Sequence, residues 1–146
     1  MKPGRILIPT ALILLLIVSC HKSGSGSKPK LTLESINTTI QVDDSLRALF
    51  KFGNGGTLPN GYFYSIRIRL NQAPPSDTAG PDTLGTPIPS FTNTANGEIR
   101  YALPWDGYLS ETGFQNDTLV FKFFVVTADS VTSDTITSPQ IVVLYQ

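Results

Sequence analysis

From Lys30 onward the apolar residues of this chain recur at every second position, not every third or fourth, and that period confines the folded part to extended strands. No window of a dozen residues carries a convincing helical stripe. The spacing predicts strands over Lys30 to Ile36, Ser45 to Phe52, Tyr62 to Leu70, Glu98 to Ala102, Thr118 to Thr127 and Gln140 to Tyr145. Shorter ones are expected near Ile88 to Phe91 and Val131 to Ile136. These runs are rich in Ile, Val, Phe, Tyr and Thr, which fit a pleated surface. Turn signals part them: Asn54-Gly55-Gly56, Pro59-Asn60-Gly61, Asn96-Gly97 and Asp106-Gly107.

Alternation within each run assigns faces. In the second run Leu46, Ala48, Phe50 and Phe52 read as core, with Arg47, Leu49 and Lys51 outside. In the third, Tyr62, Tyr64, Ile66, Ile68 and Leu70 read as core, and Phe63, Ser65, Arg67 and Arg69 as the outer set. From Thr118 to Thr127 both faces are apolar, Leu119, Phe121, Phe123 and Val125 opposing Val120, Lys122, Phe124 and Val126, which marks a central strand. The stretch Asn71 to Ser90 holds Pro74, Pro75, Pro81, Pro87 and Pro89, too many for a central strand. It reads as a long exposed loop, with an edge segment in polyproline II form as the alternative. Seven or eight short strands at this spacing predict an all-β fold, a two-sheet sandwich of immunoglobulin or fibronectin-III type with about seven strands. A jelly roll or small barrel is the other candidate.

The first 19 residues have a different character. A basic start (Lys2, Arg5), an apolar run from Ile6 to Val18 and the small Ser19 make the layout of a secretory signal peptide. The apolar run is about 13 residues, short of the ~20 that a spanning helix needs. Ile17-Val18-Ser19-Cys20 resembles the lipobox of bacterial lipoproteins. That resemblance implies cleavage before Cys20 and acylation of its thiol; the alternatives are a leader cut near Ser19 with a free Cys20, or an uncleaved anchor. Two or three acyl chains anchor a protein stably to a membrane. His21 to Lys28 has no aspartate at its second position and no acidic cluster, which favours outer-membrane attachment, periplasmic or surface-facing. The Gly/Ser pattern of Ser23 to Lys30 reads as a flexible tether, and about ten such residues reach ~17 Å. The expected organisation is a leader over 1–19, a lipidated tether over 20–30 and one sandwich domain over 31–146.

Loss of the leader removes two cations and leaves nine basic against eleven acidic residues, a net charge of −2. Such a chain has no general attraction to nucleic acid. Cys20 is the sole cysteine, so no disulfide can form within the chain and a hydrophobic core must hold the fold. A domain of roughly 115 residues is large enough for that.

The inventory for catalysis is poor. The single histidine, His21, sits in the tether beside Cys20, so neither a Ser-His-Asp nor a Cys-His arrangement can be built. No metal, cofactor or enzymatic activity is expected: only Asp43-Asp44 hints at a calcium cluster, and the spacing of Glu34, Glu98, Asp106 and Glu111 recommends no glycosidase pair. Six of the eight aspartates are followed by Ser or Thr and then an aliphatic or alanine residue, as in Asp77-Thr78-Ala79 and Asp82-Thr83-Leu84. This triplet resembles the O-glycosylation acceptor of Bacteroidota, with Thr78 and Thr83 the favoured sites. The plain alternative is that Asp ends a turn and a hydroxyl residue opens a strand.

Two surfaces are candidates for binding. Trp105, Asp106 and Tyr108 share a loop in which two aromatics flank a carboxylate, a composition suited to a sugar ring but also to a loop that tucks its Trp over the end of a sandwich. The second follows from pairing of the Tyr62 and Thr118 strands, whose outer faces would combine Phe63, Arg67, Arg69, Lys122 and Phe124 into a basic, aromatic strip.

Asp44-Ser45-Leu46, Phe52-Gly53-Asn54-Gly55-Gly56, Tyr101-Ala102-Leu103-Pro104 and Asp117-Thr118-Leu119, in that order, resemble small Bacteroidota lipoproteins with a single immunoglobulin-like domain. Where those proteins often carry several aspartates in the turn, this chain has Asn54 and glycines, so no cation site is implied. The combined expectation is a non-enzymatic, lipid-anchored envelope protein serving as an interaction or accessory module, with an envelope protein or a glycan as partner. A carbohydrate-binding lipoprotein accessory to glycan uptake is the rival reading.

Overall fold

The computed structural model describes residues 28–53, 58–71, 81–90, 96–109 and 115–145. Cys20, His21 and Thr78 lie outside the described residues. The strands are β1 (Lys30–Ile36), β2 (Thr39–Ile40), β3 (Ser45–Gly53), β4 (Tyr62–Arg69), β5 (Thr83–Pro87), β6 (Asn96–Pro104), β7 (Asp117–Val126), β8 (Ile136–Thr137) and β9 (Ile141–Val143). Trp105–Leu109 forms a tight irregular turn in which Gly107 takes a positive φ of 77° that favours glycine.

One sheet has the order β1-β3-β6, the other β2-β9-β7-β4-β5, with β8 also on β7. Taking β1, β3, β6 as A, B, E and β4, β7, β9 as C, F, G reproduces the strand order of an immunoglobulin-type sandwich. The expected fold class therefore holds. Between the sheets, Phe50 lies 4.8 Å from Phe123 and 5.2 Å from Phe63, ring centroid to centroid, and Tyr101 lies 5.4 Å from Phe63. Leu46, Leu119, Val125 and Ile141 complete the buried centre.

The faces of β3 and β7 are as expected, but those of β4 are inverted. Phe63, Ser65 and Arg67 are buried, whereas Tyr62 and Leu70 are about half exposed, at 46% and 45%. Register explains it, because residues paired across an antiparallel ladder share a face. Phe63, Ser65 and Arg67 pair with Val125, Phe123 and Phe121, the buried set of β7, while Ile66 pairs with Lys122, which faces solvent. The polar members of the inner set are tolerated because each finds a partner: Ser65 and Tyr101 hydroxyls lie 2.8 Å apart, and Arg67 and Arg69 meet carboxylates.

Of the proline-rich stretch, residues 72–80, with Pro74 and Pro75, lie outside the described residues, and the reading of the rest is corrected in part. Thr83–Pro87 is an edge strand on β4, ended by a proline whose missing N–H costs nothing there. The strand expected near Ile88 is absent from Ile88 to Ser90, and Ile88 is instead buried and bonded through its backbone to Asn60 and Gly61. Between Val131 and Ile136 only a bridge at Thr132 and the start of β8 appear.

Candidate functional site

β4 and β7 are the paired centre of the larger sheet, and their outward residues make one continuous surface. Tyr62, Tyr64, Ile66 and Ile68 of β4 stand beside Val126, Phe124, Lys122 and Val120 of β7. Tyr64 and Phe124 stack at 5.0 Å and 14°, and Tyr62 lies 6.0 Å from Tyr64. The Tyr64 ring covers Gly85 of β5, where an added Cβ would come within 2.8 Å of the ring. Among these eight outward residues Lys122 is the sole charge, and no ion pair engages it among the described residues.

The smaller sheet presents the opposite chemistry. Its outer side carries Glu34, Arg47, Lys51, Glu98 and Arg100, with Lys51 on Glu34 at 2.9 Å and Arg47 on Asp44 at 2.8 Å. Glu34 raises the Lys51 pKa by its hydrogen bond and its charge. That is an ordinary solvated face. The apolar face of the larger sheet is the one that lacks a solvated design.

The strip expected from Phe63, Arg67, Arg69, Lys122 and Phe124 is thus split by the sheet. Only Lys122 and Phe124 lie on the outer face; Phe63 is core, and the arginines point inward for a reason the sequence did not show. Arg67 donates from Nη2 to Asp82 Oδ1 at 3.0 Å and from Nη1 to the Tyr108 carbonyl, tying the Trp105 turn to the start of β5. Arg69 donates from Nη1 to Asp117 Oδ2 at 2.6 Å, and Asp117 Oδ1 accepts the Thr118 N–H at 2.8 Å. Burial lowers the Arg69 pKa, opposed by the charge of Asp117. Arg67 thus ties the larger sheet to the turn after β6 and Arg69 ties β4 to β7, so neither offers a basic surface.

The Trp105 loop follows its structural reading. Trp105 is half-buried, its Nε1 donates to the Leu144 carbonyl at 3.0 Å, and its ring leans on Tyr145 at 6.1 Å. Its backbone N–H is held by the Asp44 carbonyl at 2.9 Å. Asp106 is exposed, and Tyr108 is half-buried beside the core. Among the described residues no group of three His, Cys, Asp or Glu side chains is placed to hold a metal, and no helix is long and apolar enough to cross a membrane. Thr83, at the start of β5, is exposed.

The residues that sequence reading missed are Tyr62, Tyr64, Ile66, Ile68, Val120 and Val126. Their signal lay in β7: Lys122 marks the outward face of that strand, and register carries the mark to β4.

No protein-family model matches the chain, and no curated protein does. Among solved structures, a Niemann-Pick type C2 protein from Japanese carpenter ant is similar over 83% of this chain and 96% of its own, at 10% identity and TM-score 0.44. A cohesin module from a Clostridium perfringens family 33 glycoside hydrolase is similar over 80% and 96%, at 13% identity and TM-score 0.39. A Listeria innocua β-glucosidase mutant in complex with laminaribiose is similar over 80% of this chain and 16% of its own, at 11% identity and TM-score 0.40. The strand order and the two packed sheets themselves establish the chain as an all-β, immunoglobulin-like sandwich.

Proposed function

We propose that this chain is a non-enzymatic, lipid-anchored protein of the bacterial cell envelope whose sandwich domain docks a partner protein on the outer face of the larger sheet. The observation that carries the reading is the contrast between the two outer faces. One carries several charges, two basic residues of which are ion-paired; the other, along β4 and β7, is aromatic and aliphatic with Lys122 as its one charge and Thr83, Thr118 and Thr137 at its margins. Charge complementarity specifies the partner as an apolar surface with a carboxylate placed to meet Lys122. The lipobox-like Ile17-Val18-Ser19-Cys20 and the Gly/Ser tether support attachment at an outer membrane.

The glycan reading draws less support. A sugar platform needs a free aromatic face, whereas Tyr64 and Phe124 turn their faces to each other and Trp105 is engaged with Leu144 and Tyr145.

The test uses the full chain in its host, with a photo-crosslinking residue at position 124 or, as a control, at exposed position 32 on the other sheet. The expected result is one protein adduct from position 124, none from 32, and loss of the adduct with Lys122→Glu. Equal adducts at both positions, or indifference to Lys122→Glu, would contradict the docking face. Separately, Cys20→Ser is expected to move the protein out of the membrane fraction.

A further inference from the structure

The smaller sheet ends on β6, which is nine residues long and has no strand on its far side among the described residues. The other sheet edges are blunted. β1 is broken by a register shift between Leu33 and Ser35, β5 is five residues long and β2 has two residues, whereas β6 is uninterrupted from Asn96 to its terminal Pro104.

Backbone direction along β6 follows from its neighbour. Arg47 of β3 turns its backbone toward β1: its carbonyl accepts the Asn37 N–H at 3.2 Å, and its N–H donates to Asn37 Oδ1 at 2.6 Å. In an antiparallel ladder successive residues alternate sides, so Leu46, Ala48 and Phe50 turn toward β6, where they face Leu103, Tyr101 and Ile99. The Trp105 N–H on the Asp44 carbonyl fits the same alternation. The residues in between, Glu98, Arg100 and Ala102, therefore aim their N–H and C=O groups at the open edge, and their side chains are exposed.

We infer that β6 is the interface of a two-fold dimer of this chain, formed by antiparallel pairing of β6 with β6 of a second copy. The charges on the strand select both the occupant and the register. With Ile99 at the dyad, Glu98 lies opposite Arg100 of the second copy and Arg100 opposite its Glu98, in hydrogen-bonded positions with side chains on one face. Moving the dyad by one residue sets Glu98 against Glu98, or Arg100 against Arg100. The strand is thus self-complementary in one register and self-repelling in the two adjacent ones, which is how an isologous contact is specified. Arg100 has no ion-pair partner among the described residues, and the second copy supplies one. Glu98 already neighbours Lys51 across β3, so the dimer extends the row Lys51, Glu98, Arg100 with alternating sign.

A charge-swap cycle on the full chain in detergent micelles tests this, read by sedimentation velocity. The parent chain is expected to dimerise reversibly at micromolar concentration. Glu98→Arg and Arg100→Glu should each weaken the dimer about tenfold or more, since each opposes like charges. The double variant, with the charges exchanged, should regain it. Both changes are at exposed positions, and circular dichroism checks that each of the three variants folds. A parent chain that stays monomeric up to about 100 µM, far above ordinary dimer affinities, would overturn the inference. So would a dimer that is indifferent to the single reversals, or a double variant that fails to recover.

Discussion

At the scale of single residues, the two inward arginines separate by the burial of their partners. Arg69 and Asp117 are both secluded, with side chains 12% and 4% exposed, whereas Asp82 beside Arg67 is 72% exposed. Removing Asp117 strands the Arg69 charge in a buried pair, whereas Arg67, itself 3% exposed, keeps the Tyr108 carbonyl as an acceptor when Asp82 is removed. Asp117→Ala is therefore expected to cost ~3–5 kcal/mol in denaturant unfolding, and Asp82→Ala less, because Arg67 retains the Tyr108 carbonyl. Tyr101 gives a pH signature. Burial raises its pKa above 10.0, with the Ser65 hydrogen bond opposing. The unfolded chain releases that proton first, so stability is lost as pH rises past about 10. Lys51, raised above 10.5 by Glu34, adds a loss of the same sign at higher pH. Tyr101→Phe should flatten the start of the alkaline decline, measured by chemical unfolding between pH 9 and 11, a window that spans the ordinary tyrosine value.

At the scale of elements, legibility depended on where single charges stood. In β3, Arg47 and Lys51 both face solvent, and in β7 so does Lys122, so alternation read those faces correctly. In β4 the same logic failed because Arg67 and Arg69 look like outward markers but are paired inside. β5 was hidden by its prolines, and β2 is too short to leave a period. The last strand is irregular for a different reason. β8 is only two residues long, and Ser133 before it and Ser138 after it, both buried, take over strand pairing. Each accepts a β7 amide on Oγ, Val125 N at 3.0 Å and Phe121 N at 2.9 Å, while its own N–H donates to the same residue's carbonyl. Ser133→Ala or Ser138→Ala leaves a buried amide without its acceptor and is expected to cost ~1–3 kcal/mol. Faster hydrogen exchange confined to Val125 or Phe121 would identify the lost bond.

At the scale of the whole molecule, β4 and β7 run the length of the sandwich, so the apolar face extends from one pole to the other. Lys28, where the described chain begins, pairs with Asp134 at the pole that holds Tyr62 and Val126; Trp105 and Arg69 mark the far pole. Under the proposed attachment through Cys20, a chain joining the membrane at the Lys28 pole would place the Trp105 pole away from the membrane and leave the face accessible along its side. This arrangement rests on β4 having its Tyr-Ile face outside. Thermal unfolding of the full chain carrying Ile66→Lys, compared with Phe63→Lys, tests that orientation most directly. Ile66→Lys is expected to fold with a melting temperature within a few degrees of the parent. Phe63→Lys removes a core ring and buries a charge, a loss of more than ~4 kcal/mol that takes most of a small domain's stability. The reverse ranking would put the Tyr-Ile face in the core and remove the docking surface.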